Sequence, residues 1–327
     1  MVKDNTFKNF NGFDRFDLPG GITRVTSGYG GETYLIDCGS QIALYDTGMA
    51  YCAAGTIKNI ERVLSETGKD TLDYVLMSHT HYDHIGALPY ILKRWPEAKT
   101  VGSAKSLSVF KSEGAKTTIE DLGKKAAELY IRDGLSDTMP DEITAGGLRT
   151  DIVASDGDEI RIGNKKIIVY ATPGHTDCCL SYRLMPDDVF FLSESVGVLE
   201  APGLIDTSIL KSYPQSIESA EKCRAAGAET LIVSHYGVIP EEYDDEYFDL
   251  YIRTAEAQKD RILELYDAGC SYDEIFEDYK ASTWNEMRAI SQPYPAYALN
   301  ARYIIGNVID TFRKDKSKQR RENEETN

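Results

Sequence analysis

The stretch His79-Thr80-His81-Tyr82-Asp83-His84 places three imidazoles and a carboxylate, all of metal-binding type, within six residues. It follows the apolar run Tyr74-Val75-Leu76-Met77, which predicts a buried strand. On an extended segment His79 and His81 lie on one face, because side chains alternate with a period of two. The aspartate and the last histidine follow so closely that the pattern suits two adjacent ions. A His-x-His pair alone is weak evidence, but this longer pattern after a buried strand is strong evidence for a metal site.

The other two of the five histidines lie in short motifs further along the chain. His175 lies in Thr172-Pro173-Gly174-His175-Thr176, and His235 lies in Ser234-His235-Tyr236-Gly237. Imidazole is the commonest neutral metal ligand, and carboxylates complete such sites. No histidine is left for a Ser-His-Asp triad or a Cys-His pair, so any chemistry that histidine performs must pass through this cluster.

Length and charge restrict the class of protein. A chain of 327 residues with 42% hydrophobic residues can bury a sizeable core, as one large domain or one domain with an appendage. The formal net charge of -17 opposes nonspecific binding to nucleic acids or anionic membranes. A small anionic substrate stays compatible with this charge, since bound metal ions would dominate the local field. We therefore expect a small-molecule substrate and neither a nucleic-acid nor a membrane partner.

Targeting and redox features favour a cytoplasmic protein. The first residues, Met1-Val2-Lys3-Asp4-Asn5, lack the apolar core of a signal peptide, and no run is apolar enough to span a bilayer. The spacing of the six cysteines fits neither a zinc ribbon nor a disulfide framework, which favours reduced thiols. The sequence leaves open whether the chain forms a homodimer.

Short β-rich runs alternate with helical periodicities up to residue 240, which indicates an α/β domain over residues 1–240. The predicted strands are 32–37, 41–46, 74–77, 100–102, 159–162, 167–171, 179–184, 189–192 and 231–233. The predicted helices among them are 51–67, 85–95 and 216–226.

Two segments depart from this alternation. Residues 105–149 are charged and partly helical, which predicts a helical insertion: either a solvated cap or a lid over the site. Residues 241–313 predict a helical carboxyl-terminal extension with helices at 247–268, 272–279 and 294–312. The almost wholly polar segment 314–327 is expected to be a disordered tail.

From about residue 20 to residue 240, the motifs resemble those of the metallo-β-lactamase superfamily in type and order. Besides the histidine motif, the chain has Asp46-Thr47-Gly48, Asp156-Gly157-Asp158 and Pro173-Gly174-His175-Thr176 in the expected places. The resemblance implies an αββα sandwich, in which two sheets lie face to face with helices outside. The helical insertion and the helical extension would be additions to that fold.

The resemblance also implies a ligand set for two metal ions. The first ion would be held by His79, His81 and His175. The second would be held by Asp83, His84 and His235. The family's bridging aspartate aligns with Glu194 in Phe191-Leu192-Ser193-Glu194-Ser195. Glutamate is longer by one methylene, about 1.5 Å. If Glu194 binds metal, its backbone would lie further back, the two ions would be spaced or bound differently, or only one of the two sites would be well occupied. The alternative is that Glu194 binds no metal.

The implied activity is that of a metal-dependent hydrolase. A bound metal can lower the pKa of water from about 15.7 to about 7, so that hydroxide is available at neutral pH. We expect this metal-bound hydroxide to attack a small ester, thioester or lactone. Asp83 would orient the hydroxide, and Tyr236 would donate a hydrogen bond to a substrate oxygen unless it is only a packed aromatic. The expected cofactors are two divalent ions, with zinc as first choice and iron or manganese as alternatives.

Three other functions remain open from the sequence. A small-molecule phosphodiesterase would use the same ions. An iron-dependent oxygenase would consume dioxygen, as some members of the family do. A non-catalytic sensor would bind metal and ligand without turnover. An RNA-processing role fits poorly with the acidic charge and the lack of a basic stripe.

Overall fold

Two six-stranded mixed sheets form the centre of the computed structural model, which describes residues 8–10, 13–134, 142–243 and 246–314. The strands are β1 (Lys8–Phe10), β2 (Phe13–Asp14), β3 (Ile22–Arg24), β4 (Tyr34–Asp37), β5 (Ile42–Tyr45), β6 (Tyr74–Leu76), β7 (Lys99–Gly102), β8 (Ile152–Val153), β9 (Glu159–Ile162), β10 (Lys165–Ala171), β11 (Leu180–Met185), β12 (Val189–Leu192), β13 (Val198–Ala201), β14 (Leu204–Asp206), β15 (Thr230–Val233) and β16 (Gly237–Val238).

The helices lie on the outer faces of the sheets and at the carboxyl end of the chain. They are α1 (Ala53–Glu66), α2 (Tyr82–Ile85), α3 (Leu88–Arg94), α4 (Ala104–Phe110), α5 (Glu113–Arg132), α6 (Tyr213–Ala226), α7 (Tyr247–Asp267), α8 (Tyr272–Thr283), α9 (Glu286–Ser291) and α10 (Tyr294–Ile309). Short 3-10 turns at Ala50–Cys52, Glu194–Val196 and Glu241–Tyr243 connect some of them, and a π-helical turn, Asp310–Lys314, follows α10.

The first sheet has the order β3-β4-β5-β6-β7-β8, and the second has the order β16-β15-β12-β11-β10-β9. Parallel pairing joins β5 to β6 and β12 to β15. The carboxyl ends of parallel neighbours meet at one edge of a sheet, so the loops after these four strands converge there in pairs. The remaining paired strands, β1 with β2 and β13 with β14, form separate ribbons.

The main core lies between the two sheets, because successive side chains on each strand point to opposite faces. On β12, Phe191 belongs to the cluster between the sheets, whereas Phe190 and Leu192 pack against the outer helices. On β4, Tyr34 and Ile36 face the inner cluster in the same way. This layering confirms the predicted αββα sandwich.

The insertion contains α4 and α5, and the inner face of α5 is buried. Tyr130 stacks on Tyr29 and Tyr51, with ring centroids 5.6 and 5.3 Å away. Ala126 and Ala127 are buried in the same cluster. The inner face of α5 therefore packs on loops of the central domain. Whether the segment moves as a lid stays a prediction, and residues 135–141 lie outside the described part of the chain.

The carboxyl-terminal helices share a core with the second sheet. Tyr247 and Tyr251 of α7 are buried in one cluster with Phe190 of β12 and with apolar residues of α6, α8 and α10. The predicted disordered tail falls outside the described residues from residue 315 onward. Within the described ranges, none of the helices has both the length and the apolar composition that crossing a bilayer requires.

Candidate metal centre

Strand ends deliver the predicted metal ligands to one place. The turn after β6 carries His79 and His81, and α2 begins at Tyr82, so Asp83 and His84 lie in its single turn. The 3-10 turn after β12 starts at Glu194, and the end of β15 leads to His235. Because β12 and β15 are parallel neighbours, these two side chains emerge at the same edge. The loop between β10 and β11 supplies His175.

The first group of possible ligands consists of His79, His81 and His175. Nε2 of His175 lies 2.9 Å from Nδ1 of His81. Nε2 of His79 is buried and has no hydrogen-bond partner among the described residues. A buried polar atom without a partner costs about 1–3 kcal/mol, so a lone pair left in this position fits a bound cation.

The second group consists of Asp83, His84, Glu194 and His235. Oε1 of Glu194 lies 2.6 Å from Nε2 of His84 and 2.8 Å from Nε2 of His235. Oδ2 of Asp83 lies 3.6 and 3.7 Å from the same two nitrogens. Two imidazoles and two carboxylates thus converge on one point, which is a donor set that zinc and similar divalent ions accept.

The carboxylate of Glu194 lies between the two groups. Its Oε1 faces His84 and His235, whereas its Oε2 lies 3.2 Å from Nε2 of His175 in the first group. Each carboxylate oxygen has its own lone pairs, so one carboxylate can bind two cations. The structure therefore brings all seven predicted ligand residues together and places the buried Glu194 at their centre.

Asp46 orients His79 and His84 through hydrogen bonds on the side of the rings that faces away from the centre. Its Oδ1 accepts a hydrogen bond from the backbone N–H of Ser78 at 2.7 Å. Its Oδ2 accepts from Ser78 Oγ at 2.6 Å and from Nδ1 of His84 at 2.9 Å. Because the Ser78 hydroxyl donates to Asp46, Nδ1 of His79 donates to Ser78 Oγ at 3.0 Å. Both histidines consequently direct Nε2 toward the centre, as hydrogen-bonded partners of metal-binding histidines do.

Backbone carbonyls orient two further histidines in the same way. Nδ1 of His175 donates to the carbonyl of Ser208 at 2.7 Å, and Nδ1 of His235 donates to the carbonyl of Gly30 at 3.1 Å. These contacts leave the Nε2 atoms directed inward. His81 differs, since its Nδ1 is the atom that faces His175.

Burial keeps part of the first group neutral. Desolvation lowers the pKa of His79 well below its usual value, and it lowers the pKa of His81 to about 4. Neighbouring imidazoles contribute to both of these lowered pKa values, since positive charges repel. These two rings are therefore unprotonated at neutral pH, which is the form that binds metals.

The carboxylates of the second group favour a positive charge on its two histidines. Burial alone would lower the pKa of His84, but the carboxylates of Asp83, Asp46 and Glu194 outweigh it and hold this pKa well above its usual value. The pKa of His235 is also raised, since Glu194 outweighs the effect of burial. Burial would raise the pKa of Glu194, but His175, His235 and His84 lower it well below the usual range. A bound cation would take the place of the protons here. The two groups are consistent with a binuclear metal site.

A cavity of about 110 Å³ opens onto this centre. Its floor includes His81, Asp83, His175, Glu194 and His235. The insertion contributes Leu122 of α5 to the walls, and the carboxyl-terminal helices contribute Arg288, Gln292, Ala296, Leu299 and Asn300. A small molecule in this cavity would touch the metal ligands, the insertion and the extension at once.

Tyr236 lines the cavity next to His235 in an unusual backbone conformation. Its φ angle is 64°, in the left-handed region, and its side chain is buried. A non-glycine residue in such a region costs about 1–3 kcal/mol and persists where the surroundings enforce it. The conformation directs the ring toward the cavity, as the predicted role requires; the role itself stays a prediction.

Four residues of the site were not predicted from the sequence to be functional. Asp46 was noted only as part of a motif, although an aspartate that ends a buried strand is a recognisable signal. Glu200 and Asp206 lie on the β13–β14 ribbon, which none of the predicted strands covers. Arg288 pairs with Glu200, which is 88 residues away, so no local pattern could reveal it.

Comparisons with known proteins agree with this geometry. Residues 26–235 match the model of the metallo-β-lactamase superfamily. The metallo-β-lactamase fold-containing protein ST1585 of Sulfurisphaera tokodaii is 24% identical over 191 residues, which cover 58% of this chain and 70% of that protein. The probable metallo-hydrolase YqgX of Bacillus subtilis is 23% identical over 208 residues, covering 63% of this chain and 84% of that protein.

Among solved structures, a metallo-β-lactamase family protein of Thermus thermophilus, TTHA1429, superposes with a TM-score of 0.62 at 16% identity. The superposition covers 91% of this chain and 95% of that chain, so the likeness of fold extends beyond the segment that matches the family model. The family model itself spans more than half of the chain and includes all seven converging side chains. The chain therefore belongs to the metallo-β-lactamase superfamily.

Proposed function

We propose that this protein is a binuclear metal-dependent hydrolase that acts on a small ester, thioester or lactone. The observation that carries the proposal is the convergence of seven ligand side chains, in two adjoining groups, at the floor of an open cavity. A relative in Bacillus subtilis that bears the name probable metallo-hydrolase supports the reaction class.

The residues of the site would have distinct roles in the reaction. When bound, divalent ions lower the pKa of water from about 15.7 to about 7 and polarise the carbonyl oxygen of a substrate. His79, His81 and His175 would hold one ion, and Asp83, His84 and His235 the other, with Glu194 between them. Asp83 would also accept a hydrogen bond from the attacking water. Tyr236 would donate a hydrogen bond to the substrate oxygen that gathers negative charge.

Zinc is the metal we propose, because imidazole and carboxylate in this proportion suit it. Iron and manganese accept the same donors. The size of the cavity favours a small substrate, and the net charge of -17 opposes a polyanionic one such as RNA.

A small-molecule phosphodiesterase is the second candidate. The specific observation in its favour is the placement of Glu194 between two ligand groups, since paired ions are suited to stabilising both the attacking and the leaving oxygen of a phosphate ester.

One assay series separates the candidates. The purified chain is stripped with a chelator, reloaded with Zn²⁺, Mn²⁺ or Fe²⁺, and offered esters, thioesters, lactones and phosphodiesters. The proposal expects metal-dependent hydrolysis of a carbonyl substrate that is lost in His79→Ala. Faster turnover of phosphodiesters would favour the second candidate, consumption of dioxygen would establish an oxygenase, and binding without turnover would indicate a sensor.

A further inference from the structure

The cavity wall above the metal centre carries a buried charge cluster that the hydrolytic machinery does not use. It consists of Glu200 on β13, Asp206 at the end of β14 and Arg288 on α9, and all three line the cavity. Nε of Arg288 donates to Oε1 of Glu200 at 2.8 Å, and Nη2 donates to Oε2 at 2.9 Å. Nη2 also lies 3.5 Å from Oδ1 of Asp206. The guanidinium is therefore held by a bidentate pair, with a second carboxylate alongside.

The charges in this cluster do not cancel. Two carboxylates face one guanidinium, so the cluster has an excess negative charge. The side chains of Glu200 and Arg288 are 3% and 4% exposed, whereas that of Asp206 is 20% exposed. Asp206 is consequently the charge that a ligand in the cavity would meet. An anionic group would face this carboxylate, and Arg288 could bind it only by giving up its strong pair with Glu200.

A second, independent feature of the same wall is a hydroxyl without a partner. Tyr279 of α8 is 4% exposed, and its hydroxyl has no hydrogen-bond partner among the described residues. Tyr279 lines a second, smaller pocket, which shares Asp206 and Arg288 with the cavity at the metal centre. Because buried hydroxyls are normally satisfied, the Tyr279 hydroxyl can accept a hydrogen bond from a polar group of a ligand that lies beside Asp206.

The cluster lies close to the metal centre. Ser208 connects the two, since its backbone N–H donates to Oδ1 of Asp206 at 3.1 Å and its Oγ lies 3.4 Å from Oε2 of Glu194. Asp206 and Ser208 are two residues apart, which limits the separation of their Cα atoms to about 7 Å. Asp206 and the metal ligands also line the same cavity, so one small molecule could reach both.

We propose that Asp206, backed by the Glu200–Arg288 pair and Tyr279, is a subsite for a cationic amine. This deepens the function proposed above and rests on it: the substrate would carry its hydrolysable carbonyl at one end and an ammonium group a few bonds away. The ions would attract the carbonyl end, and the excess negative charge would attract the ammonium end. The cavity thereby fixes the direction in which such a substrate binds.

The test uses product-like ligands, so that it does not depend on turnover. Zn²⁺-loaded protein is titrated in a calorimeter with 6-aminohexanoate, with heptanoate, which has a methyl group in place of the ammonium group, and with the dicarboxylate adipate. All three offer a carboxylate to the metals and differ at the far end. We expect 6-aminohexanoate to bind about tenfold or more tightly than heptanoate, since charge-assisted hydrogen bonds are the strong ones, and adipate to bind most weakly.

Two variants then test whether Asp206 produces the preference for the amine. Asp206→Asn keeps the acceptor for Ser208 but removes the charge, and it should reduce the preference for the amine to about threefold or less. The matched control is Glu286→Gln, which removes an exposed carboxylate from the same helix as Arg288 and should keep the full preference. Unchanged metal content in Asp206→Asn shows that the variant is folded.

The outcomes separate this proposal from the hydrolase proposal. Equal affinity for 6-aminohexanoate and heptanoate, tighter binding of adipate, an undiminished preference in Asp206→Asn, or no binding of any ligand at millimolar concentration would overturn the subsite. Hydrolysis of heptanoyl and 6-aminohexanoyl esters at equal rates, with no binding preference, would leave the hydrolase standing without it. A strong amine preference without hydrolysis of any ester would support the subsite and count against the hydrolase.

Discussion

The side-chain hydroxyl of Tyr251 donates a hydrogen bond of 2.9 Å to the backbone carbonyl of Ser195, the residue that follows Glu194. The hydroxyl of Tyr247, one turn earlier on α7, donates to the carbonyls of Val196 and Gly197 at 3.1 and 2.8 Å. The carboxyl-terminal extension thus holds the short turn that carries the central carboxylate.

Removing the hydroxyl of Tyr251 should lower the metal affinity of the site, although Tyr251 is not one of the seven ligand residues. In Tyr251→Phe the buried carbonyl of Ser195 loses its donor, which should lower the free energy of unfolding by about 1–3 kcal/mol and reduce metal affinity several-fold. Chemical denaturation and metal titration of the stripped protein measure the two effects. Tyr213→Phe is the control, because that buried hydroxyl has no partner among the described residues. Equal metal affinity in the two variants would contradict a positioning role.

Asp46→Asn should reduce metal affinity although Asp46 faces away from the centre. Its two oxygens accept three hydrogen bonds, from Ser78 and His84, and an amide cannot accept all three. Loss of such an orienting contact typically lowers metal affinity by about 10- to 100-fold. Equilibrium dialysis should show this loss, whereas Asp70→Asn, which alters an exposed aspartate, should bind as the unaltered protein does. Unchanged binding by Asp46→Asn would refute the orienting role.

The second ligand group should release protons when it binds metal. The pKa of His84 is raised well above its usual value by neighbouring carboxylates despite burial, so this ring carries a proton in the metal-free protein at neutral pH. A metal must displace that proton. Affinity at this group should therefore rise with pH until His84 loses its proton.

Calorimetric titrations at neutral pH, in buffers that differ in ionisation enthalpy, count the protons released. His84→Asn should lower the count for the second group. His81 needs no such release near neutral pH, since burial lowers its pKa to about 4. If the metal affinity of the second group is constant from pH 6 to pH 9, His84 is not protonated in the metal-free protein, which would contradict this prediction.

Tyr236→Phe should impair turnover without loss of metal. Tyr236 lines the cavity beside His235 in a left-handed conformation, which suits a donor directed at the reacting oxygen. Removal of a donor to a developing oxyanion typically costs about 10²- to 10³-fold in kcat. The control is Tyr82→Phe, which removes another hydroxyl from a cavity-lining residue. Equal rates in both variants, with full metal content, would mean that Tyr236 only packs.

Local patterns were sufficient to predict the strands that deliver the ligands. Residues 74–77, 189–192 and 231–233 are short apolar runs followed at once by polar metal-binding side chains, and the structure places β6, β12 and β15 there. The predicted helix 85–95 corresponds to α3, which is shorter (Leu88–Arg94), and its first predicted residue, Ile85, ends the separate short helix α2. A Cβ atom on Gly86, between the two helices, would lie 2.8 Å from the backbone nitrogen of Ala50, so a larger residue would not fit there.

The walls of the cavity could not be predicted in this way. The β13–β14 ribbon is short, and helices α7 and α9 of the extension pack against it. Its residue Glu200 meets Arg288 across 88 positions of sequence, and Tyr251 meets Ser195 across 56. Such contacts follow from the packing of the extension on the sheet, which a single sequence does not encode as a local pattern. The ligand groups at the floor of the cavity were therefore predictable, whereas the residues of its walls were not.

The central claim is that Glu194 lies between two metal ions, and anomalous diffraction from crystals of the zinc-loaded chain tests it most directly. We expect two anomalous peaks about 3.5–4 Å apart, as in other paired-metal sites. One peak should lie within about 2.0–2.2 Å of the nitrogens of His79, His81 and His175, and the other should lie at such distances from Asp83, His84 and His235. A carboxylate oxygen of Glu194 should contact each ion. A single peak, or two peaks with Glu194 directed away from both, would contradict the account.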